Sequence, residues 1–169
     1  MICIGVIKIN MTASKAITEE EAKLYDRQIR LWGLDAQKRL RASRVLVAGL
    51  KGLGCEVVKN LVLAGINSLT MIDHENLTKE DTDSQFLAPR DRIGTNRAEA
   101  SLDRVRQLNP GVEVKVDTTH LDSKDESFFT DNFDLVVVTN VPKEIVIKIN
   151  MICRNSSVLN LRLFANILK

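Results

Sequence analysis

Cysteine is scarce in this chain. Cys3, Cys55 and Cys153 are an odd number of widely spaced thiols with no Cys-x-x-Cys pair, which argues against a disulfide framework and a zinc knuckle and favours a reducing compartment. No apolar run approaches the length of a membrane-spanning helix. Residues 1–7 are apolar but carry no basic leader, and Lys8 interrupts them before a signal-peptide core of adequate length has formed. Charge of one sign is missing as well: 24 Lys and Arg against 22 Asp and Glu leave a formal net charge of +2, so neither a nucleic-acid surface nor an acidic tail is indicated. There is a single tryptophan, Trp32, expected to pack against a sheet. No internal repeat and no low-complexity tract occurs. At 169 residues the chain suffices for one domain with a sizeable core and is short for two.

What is present is organised around residues 44–65. Val45, Leu46, Val47 and Ala48 form a continuous apolar run rich in β-branched residues, as in a parallel strand covered on both faces. Glycines then turn the chain, and from Cys55 onward Val57, Val58, Leu61, Val62 and Ala64 recur at helical spacing, with Gly65 where a C-cap belongs. A strand feeding a helix through glycines leaves backbone N–H groups at a helix N-terminus, which suits phosphate. In the fingerprint Gly-x-Gly-x-x-Gly the three places are held here by Gly49, Lys51 and Gly54, and the Lys51 side chain crowds the closest approach to a pyrophosphate. Two readings of the loop therefore stand: a phosphate loop, or a glycine turn that lets a helix pack tightly on its strand. Asp73, after a strand predicted over 68–72 and about 20 positions past Gly54, stands where dinucleotide folds hold a ribose hydroxyl.

Upstream, Thr18-Glu-Glu-Glu21 is a capping box with Ile17 as its staple, opening a helix that carries Tyr25, Arg27, Arg30 and Trp32. Asp35 is expected to cap a short basic helix running through Arg41. Lys23, Arg27, Arg30, Lys38, Arg39, Arg41 and Arg44 make this region basic. It reads as a solvated face, from which an arginine fork can also reach a phosphate outside its own sheet. Downstream, His74 and Glu75 read as solvated and residues 76–92 as polar and turn-like. A helix follows over 96–108, then an edge strand over 112–116 with Glu113 and Lys115 outward. A short helix over 123–130, a buried strand over 133–138, a helix after Pro142 and a last strand over 157–161 complete the pattern. Strands alternating with helices imply a doubly wound α/β domain, a mostly parallel Rossmann-like sheet with helices on both faces, over residues 18–169. Residues 1–17 form an N-terminal extension. Such a fold does not by itself fix a function.

Tyr25-Asp26-Arg27-Gln28-Ile29-Arg30-Leu31-Trp32-Gly33 resembles the opening signature of the adenylation domains of E1 enzymes, which activate ubiquitin-like proteins. Gly49-Leu-Lys-Gly-Leu-Gly54 and Leu69-Thr-Met-Ile-Asp73-His-Glu75 follow at that family's spacing. From about Thr18 to Ser156 the chain is similar to the small subunits of heterodimeric E1s of the SUMO branch, which are ThiF/MoeB-like proteins. The resemblance implies a non-catalytic subunit of an enzyme that adenylates SUMO with ATP and passes it to a cysteine as a thioester. It implies a large, cysteine-bearing partner subunit that binds most of the ATP and Mg. It further implies work in nucleus and cytoplasm, with neither nucleic acid nor membrane as partner.

Residue by residue, the resemblance marks this chain as the inactive half. Asp81-Thr-Asp-Ser84-Gln85 stands where an active half carries Asn-Leu-Asn-Arg-Gln, so Ser84 replaces an arginine that meets phosphate. Arg97 replaces a lysine, and the place of a magnesium-binding aspartate falls near Val141. Asp73 is retained as a vestigial cofactor-binding residue. Arg27 is expected to act as an arginine finger on ATP held by the partner subunit, the alternative being a surface ion pair with Asp26 or Glu21. Arg30 is a weaker second candidate for contact with the cofactor. Cys55 and Cys153 are expected to face inward as small hydrophobes, and no metal site is expected. The family's small subunits continue well beyond the length of this chain, which implies a C-terminally truncated form with exposed sheet edge and marginal stability. Two further readings stand beside this one: a non-enzymatic binding module of the same family, and an NAD-dependent oxidoreductase domain, against which Lys51 counts.

Overall fold

The computed structural model describes residues 17–156 and 158–162; the expectations for residues 1–16, including Cys3, lie outside them. The chain enters through three short helices, α1 (Glu19–Leu24), α2 (Asp26–Trp32) and α3 (Leu34–Ala42). It then alternates as β1 (Arg44–Ala48), α4 (Gly52–Ala64), β2 (Ser68–Ile72), α5 (Arg97–Leu108), β3 (Glu113–Asp117), α6 (Glu126–Asn132), β4 (Leu135–Val138), α7 (Lys143–Asn155) and β5 (Leu159–Arg162). The five strands pair in parallel in the order β3-β2-β1-β4-β5. The chain thus runs outward from β1 to β3, then returns to the other side of β1.

Because side chains alternate along a strand, each apolar strand feeds two cores. Val45, Val47, Leu69, Met71 and Val137 pack with Val58 and Val62 of α4 and Val105 of α5. Leu46, Ala48, Ile72, Val136 and Val138 pack with Phe129 of α6 and with Val146 and Ile149 of α7. The sheet is therefore covered on both faces, as its unbroken apolar strands require. Truncating a fully buried residue such as Leu46 in such a core costs about 2–5 kcal/mol.

Local signals set most element ends. Thr18 forms the capping box with Glu21, Asn96 caps α5 by accepting from the N–H groups of Ala98 and Glu99, and Gly65 closes α4 in the left-handed region at φ +79°. Other ends differ from the sequence reading. The first helix breaks at Tyr25, which serves as C-cap of α1 and N-cap of α2. Gly33, not Asp35, is the N-cap of α3; Asp35 lies inside the first turn and pairs with Lys38 instead. Asp125 accepts from the N–H of Phe128, so α6 starts later than expected and runs through Asn132. Trp32 does not pack on the sheet: it is 42% exposed, and its indole Nε1 donates to Gln37 Oε1 at 3.1 Å. Residues 76–92 are turn-like but not simply polar surface, because Leu77, Asp81, Gln85, Leu87 and Ala88 are buried.

Candidate functional site

A cleft of about 240 Å³ opens at the C-terminal ends of β1, β2 and β4, where the strand order reverses and where ligands bind in open α/β sheets. Ala48, Gly49, Ile72, Val141, Pro142 and Ile145 give it an apolar lining. The glycines around it answer to packing. Gly49 has φ +83°, and a Cβ there would lie 2.0 Å from the Thr139 carbonyl oxygen; a Cβ on Gly54 would lie 1.9 Å from the carbonyl oxygen of Gly49. Helix α4 thus sits directly on the strand turn, which is the packing reading of the loop.

The charged groups of the cleft are spent on one another. Asp73 Oδ2 accepts from the N–H of Leu50 at 2.8 Å, and Oδ1 accepts from the N–H of Glu75 at 3.0 Å. Arg97, only 1% exposed, lies between three carboxylates: its Nε is 3.0 Å from Asp73 Oδ2, its Nη1 donates to Asp81 Oδ1 at 3.1 Å, and its Nη2 pairs with Glu75. Burial works against the charge of Arg97, but Asp73, Glu75 and Asp81 outweigh it, so its pKa is raised above the ordinary arginine value. Asp81 is held in turn by the N–H of Thr78. Across the mouth, the rings of His74 and His120 stack at 3.8 Å with an interplanar angle of 28°.

These residues do not fit ATP. Asp73, the expected ribose acceptor, has both oxygens engaged, and Arg97, the one Lys or Arg side chain lining the cleft, is neutralised three times over. Val141 lines the wall where the resemblance places a magnesium-binding aspartate. Exposed Ser84 lies over Gly52, whose Cβ would be 3.0 Å from that of Ser84. Among the described residues no group of three or more His, Cys, Asp or Glu side chains is arranged to hold a metal ion.

The other candidate lies on α2, away from the cleft lining. Arg27 is exposed and makes no hydrogen bond or ion pair among the described residues. Both partners that could have claimed it are taken: Glu21 pairs with Arg41, and Asp26 pairs with Arg30 at 3.0 Å. Arg30 is therefore tied to its own helix, and Arg27 is not. Hydrogen bonding by Thr18 and Arg41 holds the Glu21 carboxyl below the usual range, against the effect of burial. Cys55 is buried, donates to the Leu50 carbonyl at 3.3 Å, and has its thiol pushed up to about 12 by burial; Cys153 belongs to the second core. Neither is placed as a nucleophile.

Comparison with known proteins gives a family. The ThiF family model matches residues 25–159. The chain is 58% identical to SUMO-activating enzyme subunit 1 of Homo sapiens over 146 residues, which is 86% of this chain and 42% of that protein. It is 54% identical to the protein of the same name from Danio rerio over 142 residues, 84% of this chain and 40% of that one. The chain therefore spans about two fifths of the length of the curated relatives it matches. Among solved structures, E. coli tRNA N6-threonylcarbamoyladenosine dehydratase in complex with AMP superposes with a TM-score of 0.76 at 23% identity, covering 88% of this chain and 61% of that one. The same enzyme in complex with ATP gives 0.74 at 22% identity, with 88% and 61% covered. At that identity the likeness speaks for the fold alone.

Proposed function

The chain belongs to the ThiF family, and from that premise we propose that it serves as the non-catalytic subunit of a heterodimeric E1 that activates SUMO, contributing Arg27 in trans to ATP held by the large, cysteine-bearing subunit. The observation that carries this reading is the contrast between the two arginines. The cleft's one Lys or Arg side chain is committed to three carboxylates, whereas Arg27 stands exposed on α2 with Asp26 and Glu21 already paired to other arginines. A planar guanidinium so placed offers bidentate, charge-assisted donors to phosphate oxygens, and needs no rearrangement of its own fold to do so. Mg and most contacts to ATP belong, in this reading, to the partner. The setting is nuclear and cytoplasmic.

The test is reconstitution with the large SUMO E1 subunit, followed by adenylation of SUMO with Arg27→Ala. A one-to-one complex on size-exclusion chromatography is expected. The variant should lower adenylation by about 100-fold, the scale for losing one preorganised donor. Its folding stability should stay within about 0.5 kcal/mol of the parent, as for an unpartnered surface side chain. A complex that forms but supports no adenylation would make the chain a non-enzymatic binding module instead. Unchanged adenylation in Arg27→Ala would remove the arginine from the mechanism.

A further inference from the structure

The last carbonyls of α4 are not left to solvent, as helix C-termini commonly are. Three consecutive ones each accept a side-chain amide, and the three amides come from three different elements. Asn109, at the end of α5, donates through Nδ2 to Val62 O at 2.9 Å; Gln28 of α2 donates through Nε2 to Leu63 O at 3.3 Å; Gln37 of α3 donates through Nε2 to Ala64 O at 2.9 Å. Asn109 Nδ2 also donates to the Tyr25 hydroxyl at 2.8 Å, and Gln37 Oε1 accepts from the Trp32 indole. Tyr25 lies so close over Gly65 that a Cβ there would be 2.5 Å from its ring. Gln37 and Asn109, polar residues, are buried in this arrangement.

The spacing of these contacts on α2 is informative. Tyr25, Gln28 and Trp32 fall at i, i+3 and i+7, one face of a helix, and all three reach the end of α4 directly or through Asn109 and Gln37. Arg27, Arg30 and Leu31 fall on the opposite face, and all three are exposed. At seven residues, α2 is too short to hold its direction by its own hydrogen bonds. Its direction therefore depends on what it docks to. We propose that the C-terminal end of α4 is a socket that aims Arg27, with Gln28 as the positioning residue and Asn109 and Gln37 completing the socket. This rests on the role given to Arg27 above and adds the machinery that orients it.

The single tryptophan and the isosteric pair Gln/Glu make the proposal testable. Gln28→Glu keeps the shape and removes the donor; Gln28→Leu removes the donor together with the Gln28 Oε1 acceptor, which is buried without a partner. In the full chain, hydrogen exchange of the α2 amides and the Trp32 indole N–H is read against the β1 and β4 amides. Both variants should speed exchange in α2 by about tenfold and leave the strands unchanged. Unchanged exchange in α2 would overturn the socket. In the complex with the large subunit, Gln28→Leu, which adds no charge beside Arg27, should lower the turnover of SUMO adenylation about tenfold when Arg27 is present, and less than about twofold in the Arg27→Ala background. Losses of equal size in both backgrounds would overturn the aiming role, since Gln28 would then act independently of Arg27. If Arg27→Ala alone is neutral, the functional reading fails and the aiming role with it, while the exchange data still decide whether the socket exists.

Discussion

Arg97 and Arg27 lie in opposite chemical settings on the same small domain. Arg97 is sealed at the ends of the strands with Asp73, Asp81 and Glu75 around it, while Arg27 stands on an outer helix and makes no ion pair among the described residues. In the interior, low dielectric makes an unpaired charge intolerable, so the carboxylates that could have held a ribose or a metal are consumed in holding an arginine. On α2, water solvates Arg27 at no such cost, and its pairing capacity stays available. The strand-end cleft of this chain is thus built as structure, and the arginine proposed to act on phosphate is the one on a helix that faces outward.

Removing Arg97 is the most severe way to probe that contrast. Arg97→Met leaves Asp73 and Asp81, both buried, without their cation. Breaking a buried charge pair from one side costs about 3–5 kcal/mol. Urea denaturation at neutral pH should show a lower midpoint with an unchanged slope, and adding Asp81→Asn to the variant should recover part of the loss. A loss under about 1 kcal/mol would mean that water reaches the cluster, and the two regions would then differ little.

This contrast was only half visible in the sequence. Residues 44–72 were legible because apolar runs, glycines and helical spacing agreed, and the packing reading of the glycine loop was already on the table. The signature singles out Arg27 and poses its competition with Asp26 and Glu21, but it does not reveal that Arg30 and Arg41 occupy those carboxylates. The burial of Arg97 was not legible. An arginine in the first turn of a helix reads as solvated, and nothing local announces that Asp81, 16 residues upstream, folds back onto it. The one available signal was the density of acidic residues after β2. The same blindness applied to Gln37, a fully buried glutamine in a basic, polar stretch, and to Trp32, whose indole answers to Gln37 and not to the sheet. Amphipathic period finds apolar burial; it does not find polar groups buried by the carbonyls of another helix.

A smaller effect is expected behind Thr119 of the cleft lining, where acid should act on a pair that is neither sealed nor free. Asp117, at the end of β3, accepts from the N–H and hydroxyl of Thr119 and pairs with Lys124. Burial alone would raise its pKa, but Lys124 and Thr119 outweigh burial and lower it. A carboxylate whose pKa is depressed in the folded state contributes stability that is fully present above its unfolded value of about 4 and is lost as pH falls through the folded value. Stability should therefore decline from about pH 4 downward, and Lys124→Met should flatten that decline without removing it, because Glu21 is lowered too. A decline of the same steepness in Lys124→Met would show that acid stability owes nothing to this pair.

The smallest expected effect is none at all, and it bears most directly on the comparison. A ligand that binds only the folded state at a hundredfold excess over its dissociation constant raises stability by about 2.7 kcal/mol. In a domain of this size that is a shift of several degrees, about 2–8 °C per kcal/mol at the extremes of domain length. Millimolar ATP with Mg should leave the melting temperature of this chain unmoved, because Asp73 is engaged by the Leu50 and Glu75 amides and by Arg97, and the cleft offers phosphate no free cation. The informative control is Asp81→Asn, which loosens one arm of the Arg97 cage and lets the guanidinium turn toward the cleft. A shift that appears only in this variant would show that the cage is what closes the site to anions. A shift in the parent chain would show that the cleft binds nucleotide as it stands, and the division of labour between Arg97 and Arg27 would collapse.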